Sequence, residues 1–134
     1  MENHKGIEEA VYRHLTKYPK NKRMIEVGIG KNPYIAQKLK DEGYCIKASD
    51  IKKSLPDYGF QFQSDDIFEP DFDFYKDADL IYSIRPGIEM MPALIEIAKK
   101  TGCELLVYHL GNEIYQNGGE IIDCGVILHR YFKP

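Results

Sequence analysis

The chain has 134 residues, 43% apolar and 29% charged, and its 18 Lys and Arg against 21 Asp and Glu give a net charge of −3. That is an ordinary globular balance, and the length predicts a single domain over residues 1–134. The acidic sum disfavours nucleic acid as a partner. The wide spacing of Cys45, Cys103 and Cys124 excludes a zinc module or disulfide scaffold and fits a reducing cytoplasm. No apolar run reaches the ~18 residues of a membrane span, and the polar opening MENHKGIEE carries no secretory signal.

Taken in order, the elements alternate helical and extended patterns, the signature of an α/β domain with a mainly parallel sheet. Over residues 6–18, Ile7, Val11 and Leu15 form one apolar helical stripe, ended by Tyr18-Pro19. The basic run Lys17 to Arg23 reads as a solvated loop before a buried strand, Met24-Ile25-Glu26-Val27. Gly28-Ile29-Gly30-Lys31 is a turn. Asn32 is placed to cap the next helix and Pro33 to open it, with Ile35 and Leu39 inward and Gly43 as the stop. Tyr44 to Ser49 and Phe60 to Ser64 are the second and third strands, and Ala78 to Ile84 the fourth.

A helix around Pro92 is expected to bury Ile88, Met91, Ile95 and Ala98. Glu104 to His109 make the fifth strand, with Cys45 and Cys103 as inert core thiols. Glu120 to Asp123 and Val126 to Phe132 form a C-terminal antiparallel hairpin. The expected architecture is a trimmed three-layer, Rossmann-like, doubly wound sheet of order 3-2-1-4-5 plus that hairpin.

The chemistry concentrates where the first strand meets its turn. Gly28 permits a sharp exit, and Gly30 lets a ligand approach the backbone. The helix start offers N–H groups to a polar or anionic group. Asp50 follows Gly28 by 22 positions, near the ~20-residue offset of a ribose-binding carboxylate. The alternative for Asp50 is a cap on the turn Ile51-Lys52-Lys53. Glu26 is acidic where a dinucleotide site is usually apolar, and Pro33 replaces the third fingerprint glycine. Both features favour S-adenosylmethionine, with its cationic methionine part, over NAD. The alternative for Glu26 is an ion pair with Lys22, Arg23 or Lys31.

Asp65-Asp66-Ile67-Phe68 follows the third strand, and in this the sequence resembles class I methyltransferases. The resemblance implies a carboxylate reaching the adenine amino group, Asp66 before Asp65, with an apolar neighbour against the ring. The loop from Glu69 to Asp79 carries Phe72, Phe74 and Tyr75, read as core anchors. In amino-methyltransferases the fourth strand ends in an Asn/Asp-Pro-Pro-aromatic motif. Here Ser83-Ile84-Arg85-Pro86-Gly87 departs from it. Ser83 joins the cofactor set, and Arg85 offers a planar fork suited to a carboxylate or phosphate. Arg85 is thus the candidate for a catalytic or acceptor-facing role, the alternative being an ion pair with Glu89 or the acidic loop.

Glu26-Val27-Gly28-Ile29-Gly30 and Tyr82-Ser83-Ile84-Arg85-Pro86 resemble a small archaeal group, uncharacterised protein family 0146. The resemblance runs from the first strand to the final hairpin. It implies a methyltransferase-type fold and names no reaction. His109 and Glu113, at the end of the fifth strand, are a further acid–base pair to weigh, though such a histidine is more often just hydrogen-bonded; His4, His14 and His129 show no metal-ligand spacing. Between the fifth strand and the tail only Leu110 to Gly119 remain, enough for a turn of helix over Asn112 to Gln116. The expected function is S-adenosylmethionine binding, with methyl transfer to a small or partner-presented acceptor, a homodimer included. The alternatives are a non-catalytic nucleotide-sensing or interaction module in the same cleft and an NAD-dependent oxidoreductase.

Overall fold

The computed structural model describes residues 4–111 and 113–134. In chain order it contains α1 (His4–Leu15), β1 (Arg23–Val27), α2 (Tyr34–Asp41), β2 (Cys45–Asp50), β3 (Gln61–Ser64), α3 (Phe72–Tyr75) and β4 (Leu80–Ile84). A 3-10 turn (Ile88–Met90) leads into α4 (Met91–Thr101), followed by β5 (Glu104–Tyr108), β6 (Glu120–Asp123) and β7 (Ile127–Phe132). The sheet runs β3-β2-β1-β4-β5-β7-β6. Its first five strands are parallel, and β7 pairs antiparallel with both β5 and β6. This is the expected doubly wound order with its terminal hairpin.

Alternation along the strands feeds two cores. Met24, Leu80, Tyr82 and Leu106 face α1 and α2, with Val11, Leu15, Ile35 and Leu39. Ile25, Ile81, Leu105 and Val107 face α3 and α4, with Phe74, Tyr75, Met91 and Leu94. Glu26 has the parity of Met24, so its side chain is delivered into the α1 layer.

Local chemistry shifts several expected boundaries. α1 ends at Leu15, and its inward face is centred on Glu8, Val11, Tyr12 and Leu15, leaving Ile7 half-buried. α2 begins at Tyr34 with Pro33 as its cap residue; Asn32 acts one position earlier, its Oδ1 accepting the Tyr34 amide at 3.2 Å. α4 buries Met91, Leu94, Ile97 and Ala98, because Pro92 sits in its first turn and Ile88 lies in the preceding 3-10 turn; Ile88 is exposed and Ile95 half-buried. Cys45 is exposed at the start of β2, so it is no core thiol, whereas Cys103 is buried. Phe74 and Tyr75 are core anchors, carried on the short helix α3 that opens with Asp71 accepting the Asp73 amide. The expected turn of helix over 112–116 lies partly outside the described residues, and residues 113–116 form no helix.

Candidate functional site

Leaving β1, the chain first winds toward β2 and β3, then returns to β4 and β5 on the other side. That reversal opens a crevice outside the carboxyl ends of β1 and β4, where open α/β sheets take ligands. A cleft of about 410 Å³ lies there, within the ~300–1,000 Å³ of small-molecule sites. Its polar lining includes Asp50, Asp66, Ser83 and Arg85, and its apolar lining includes Ile51, Ile67, Phe68, Pro86 and Met90. Gly28 forms part of the wall.

The turn is built by its glycines and by Asp50. Gly28 and Gly30 have φ of +79° and +53°, the left-handed region that side chains disfavour. The Gly28 and Ile29 amides both donate to the Ser49 carbonyl, at 2.8 and 3.3 Å. The Gly30 amide donates to Asp50 Oδ2 at 2.8 Å, and the Lys52 amide to Asp50 Oδ1 at 2.9 Å. The turn amides of Gly28, Ile29 and Gly30 are therefore engaged within the chain, and at the helix start the Tyr34 amide is taken by Asn32. Asp50 fills the capping role and still lines the cleft, with lone pairs left on both oxygens.

Asp65 and Asp66 both line the cleft and differ in their partners. Asp65 accepts Tyr75 Oη at 2.7 Å and the Asp71 amide at 3.0 Å, which makes it a brace for the loop. Asp66 is half-buried and accepts the Phe68 amide through Oδ1 at 3.0 Å. Ser83, fully buried in the floor, donates to the Val27 carbonyl at 2.8 Å.

Glu26 does not line the main cleft. It is buried beneath the turn and accepts from Tyr82 Oη at 2.8 Å; among the described residues no Lys or Arg bonds to it, so the alternative of an ion pair with Lys22, Arg23 or Lys31 does not hold. Burial, reinforced by the charges of Glu8 and Asp50, pushes its carboxyl up to about 8. It faces a second chamber of about 60 Å³, shared with Glu8, Asn32 and Arg85, among others. Gly28, Ile84 and Arg85 line both spaces.

Arg85 has a φ of +55°, and its amide donates to the Tyr108 carbonyl. Its guanidinium stands 5.4 Å from the Tyr108 ring centroid and donates through Nη1 to Glu8 Oε2 at 3.0 Å. The partner is thus α1, not Glu89 or the acidic loop. Glu8 escaped the sequence reading. The signal was an acid at i relative to Val11, Tyr12 and Leu15 at i+3, i+4 and i+7, a carboxylate on an apolar helix face.

His109 is buried away from this cleft. Its Nε2 pairs with Tyr131 Oη at 2.7 Å, and that phenol also accepts the Tyr115 amide. Burial and neighbouring His129 lower its pKa. His109 is hydrogen-bonded, and Glu113 is exposed nearby. Among the described residues no group of three or more His, Cys, Asp or Glu could hold a metal ion, and no helix is long and apolar enough to cross a membrane.

Solved structures share the fold. A sugar N-methyltransferase from a Streptoalloteichus species matches 87% of this chain and 54% of its own at 16% identity, with a TM-score of 0.55. The Burkholderia thailandensis 1,6-didemethyltoxoflavin-N1-methyltransferase, solved with S-adenosylhomocysteine, matches 96% and 60% at 12% identity and a TM-score of 0.53. The chain thus spans little more than half the length of these enzymes. A candidate methylase from Haemophilus influenzae is matched over 94% of its length, at 9% identity and a TM-score of 0.56. The fold is that of class I methyltransferases.

Residues 9–120 match the profile of the Uncharacterised protein family UPF0146, and the chain belongs to that family. The UPF0146 protein of Pyrococcus horikoshii is 35% identical over 114 residues, 81% of this chain and 87% of its own. That of Methanocaldococcus jannaschii is 33% identical over 97 residues, 69% and 70% of the two chains.

Proposed function

We propose that the cleft binds S-adenosylmethionine and that the chain transfers its methyl group to a small acceptor. One observation carries this reading: Gly28, Asp50 and Asp66 line a single cleft together with the apolar residues Ile51, Ile67 and Phe68. In it Asp50 accepts from the ribose hydroxyls and Asp66 from the adenine amino group, with the ring against Ile67. Gly28 and Gly30 admit the methionine part, Ser83 floors the cleft, and Glu26 acts from the chamber behind the turn. The turn amides bond to Ser49 and Asp50, which argues against a pyrophosphate there and hence against NAD. Methyl transfer requires in-line alignment of acceptor, carbon and sulfur more than a strong base. Arg85, stacked on Tyr108 at the cleft wall, faces an anionic acceptor or the ligand's carboxylate.

A second reading, a non-catalytic nucleotide-sensing module in the same cleft, is favoured by the short link between β5 and β6. On the catalytic reading, a partner or a second copy completes the acceptor site.

Thermal-shift titrations with S-adenosylmethionine, S-adenosylhomocysteine, NAD and ATP test the cofactor. Ligand at ~100 times its Kd stabilises by about 2.7 kcal/mol, a rise of roughly 10 °C for a domain of this size. A rise confined to the two adenosyl amino acids is expected. A rise with NAD alone, or with none of the four, overturns the reading.

A further inference from the structure

We infer that a cavity at the carboxyl end of β5, walled by His109 and His129, binds a small neutral molecule through a planar edge that sets an acceptor beside a donor, as in a carboxamide, a lactam or a nucleobase. The inference is independent of the cleft reading. The two spaces share no lining residue, and their walls touch where Arg85 stacks on Tyr108.

β7 runs antiparallel to β5, with His129 opposite Val107, so its first residues stand beside the last of β5. Gly118, at a φ of +83°, makes room for the His129 ring: a Cβ there would lie 3.0 Å from Nδ1. That nitrogen is 2.8 Å from the Gly118 carbonyl oxygen. A carbonyl can only accept, so Nδ1 carries the proton and Nε2 of the neutral ring is an acceptor. The hydrogen-bond network assigns the other ring as well. Tyr131 Oη accepts the Tyr115 amide at 3.0 Å and lies 2.7 Å from His109 Nε2. The phenol directs its own hydrogen to Nε2, which leaves the His109 proton on Nδ1. Burial and the neighbouring His129 keep His109 neutral by lowering its pKa. Its Nδ1 is buried and has no partner among the described residues. With ring centroids 5.0 Å apart, His109 and His129 set a donor and an acceptor side by side.

The remaining walls are apolar. Tyr108, Ile114, Val126 and Ile127 line the cavity, and Ile114 and Ile127 are 51% and 43% exposed. Its volume of about 390 Å³ lies within the ~300–1,000 Å³ of small-molecule sites and far above the ~30 Å³ of one water. A buried donor without an acceptor is costly. A ligand carbonyl meets that donor, and the adjacent ligand N–H meets His129 Nε2. Glu113, exposed on the rim, disfavours an anion.

Titrations of the intact chain with benzamide, acetophenone and benzoate provide the test, read by long-range proton–nitrogen spectra of the imidazoles and by the methyl signals of Ile114 and Ile127. Benzamide carries acceptor and donor, acetophenone the acceptor alone, and benzoate a negative charge. The free chain is expected to show the proton on Nδ1 of both rings. Benzamide is expected to shift both rings and to bind about tenfold more tightly than acetophenone, with benzoate weakest. His109→Phe or His129→Phe is expected to erase the preference for benzamide. Should neither fold, Tyr131→Phe leaves both imidazoles in place, frees the His109 tautomer and is expected to weaken benzamide several-fold. Equal binding of benzamide and acetophenone, tighter binding of benzoate, or a proton on His109 Nε2 in the free chain overturns the inference. Binding by none of the three leaves the cavity to water and overturns it too. Adenosyl ligands play no part in this readout, so the cleft reading stands or falls separately.

Discussion

Asp50 ties two loops together through the Gly30 and Lys52 amides. Asp50→Ala should therefore lower stability by about 1–3 kcal/mol in urea unfolding, besides weakening any nucleoside. Its place at the cleft was legible because a fixed offset from Gly28 marks it, whereas its bond to the Gly30 amide was not. Glu26 was legible as an anomaly, an acid in a buried strand, but its partner was not: Tyr82 becomes its neighbour only through the β1–β4 register. The raised pKa of Glu26 has a definite sign. Between the ordinary carboxylate range and about 8 the folded chain holds a proton that the unfolded chain releases. Stability from this group is full at low pH, declines as pH rises through that window, and levels off above 8. Glu26→Gln should flatten that decline, on the order of a few kcal/mol across the window. An unchanged slope in denaturant titrations from pH 5 to about 8 would exclude the assignment.

Among the elements, the β1–α2 turn and the terminal hairpin answer differently to one added methyl. A Cβ on Gly28 would lie 3.8 Å from Ser83 Oγ, ordinary contact, but at a φ of +79°. Gly28→Ala should cost about 1–2 kcal/mol of stability and weaken adenosyl binding by more, because the methyl enters the cleft. A Cβ on Gly119 would meet the Arg130 carbonyl oxygen at 2.5 Å, and backbone cannot yield as a side-chain tip does. Gly119→Ala should destabilise by about 2 kcal/mol or more, with loss of β6–β7 amide protection. Strand and helix periodicity revealed these elements from Val11, Met24 and Leu39 onward. It placed Met91 and Ala98 on the inward face of α4 but took Ile88 and Ile95 for Leu94 and Ile97, since Pro92 resets the helix start.

For the molecule as a whole, ligand protection should be local. Amide exchange in saturating S-adenosylhomocysteine is expected to slow at residues 27–28, 49–51, 65–68 and 83–87, which line the cleft, and to stay unchanged in β6, an edge strand away from it. Uniform slowing would mean global stabilisation without a seated ligand. The doubly wound order was readable from alternating elements and glycine stops. The joint between α1 and the cleft was not. Glu8 meets Arg85 across 77 positions, and no local pattern announces a contact of that separation.

β7 lies between β5 and β6, although it follows β6 in the chain. The strand that precedes therefore has no berth until the later one arrives. A nascent chain halted before Ile127 leaves the flank of β5 bare, a row of unmatched donors and acceptors that invites a stray strand.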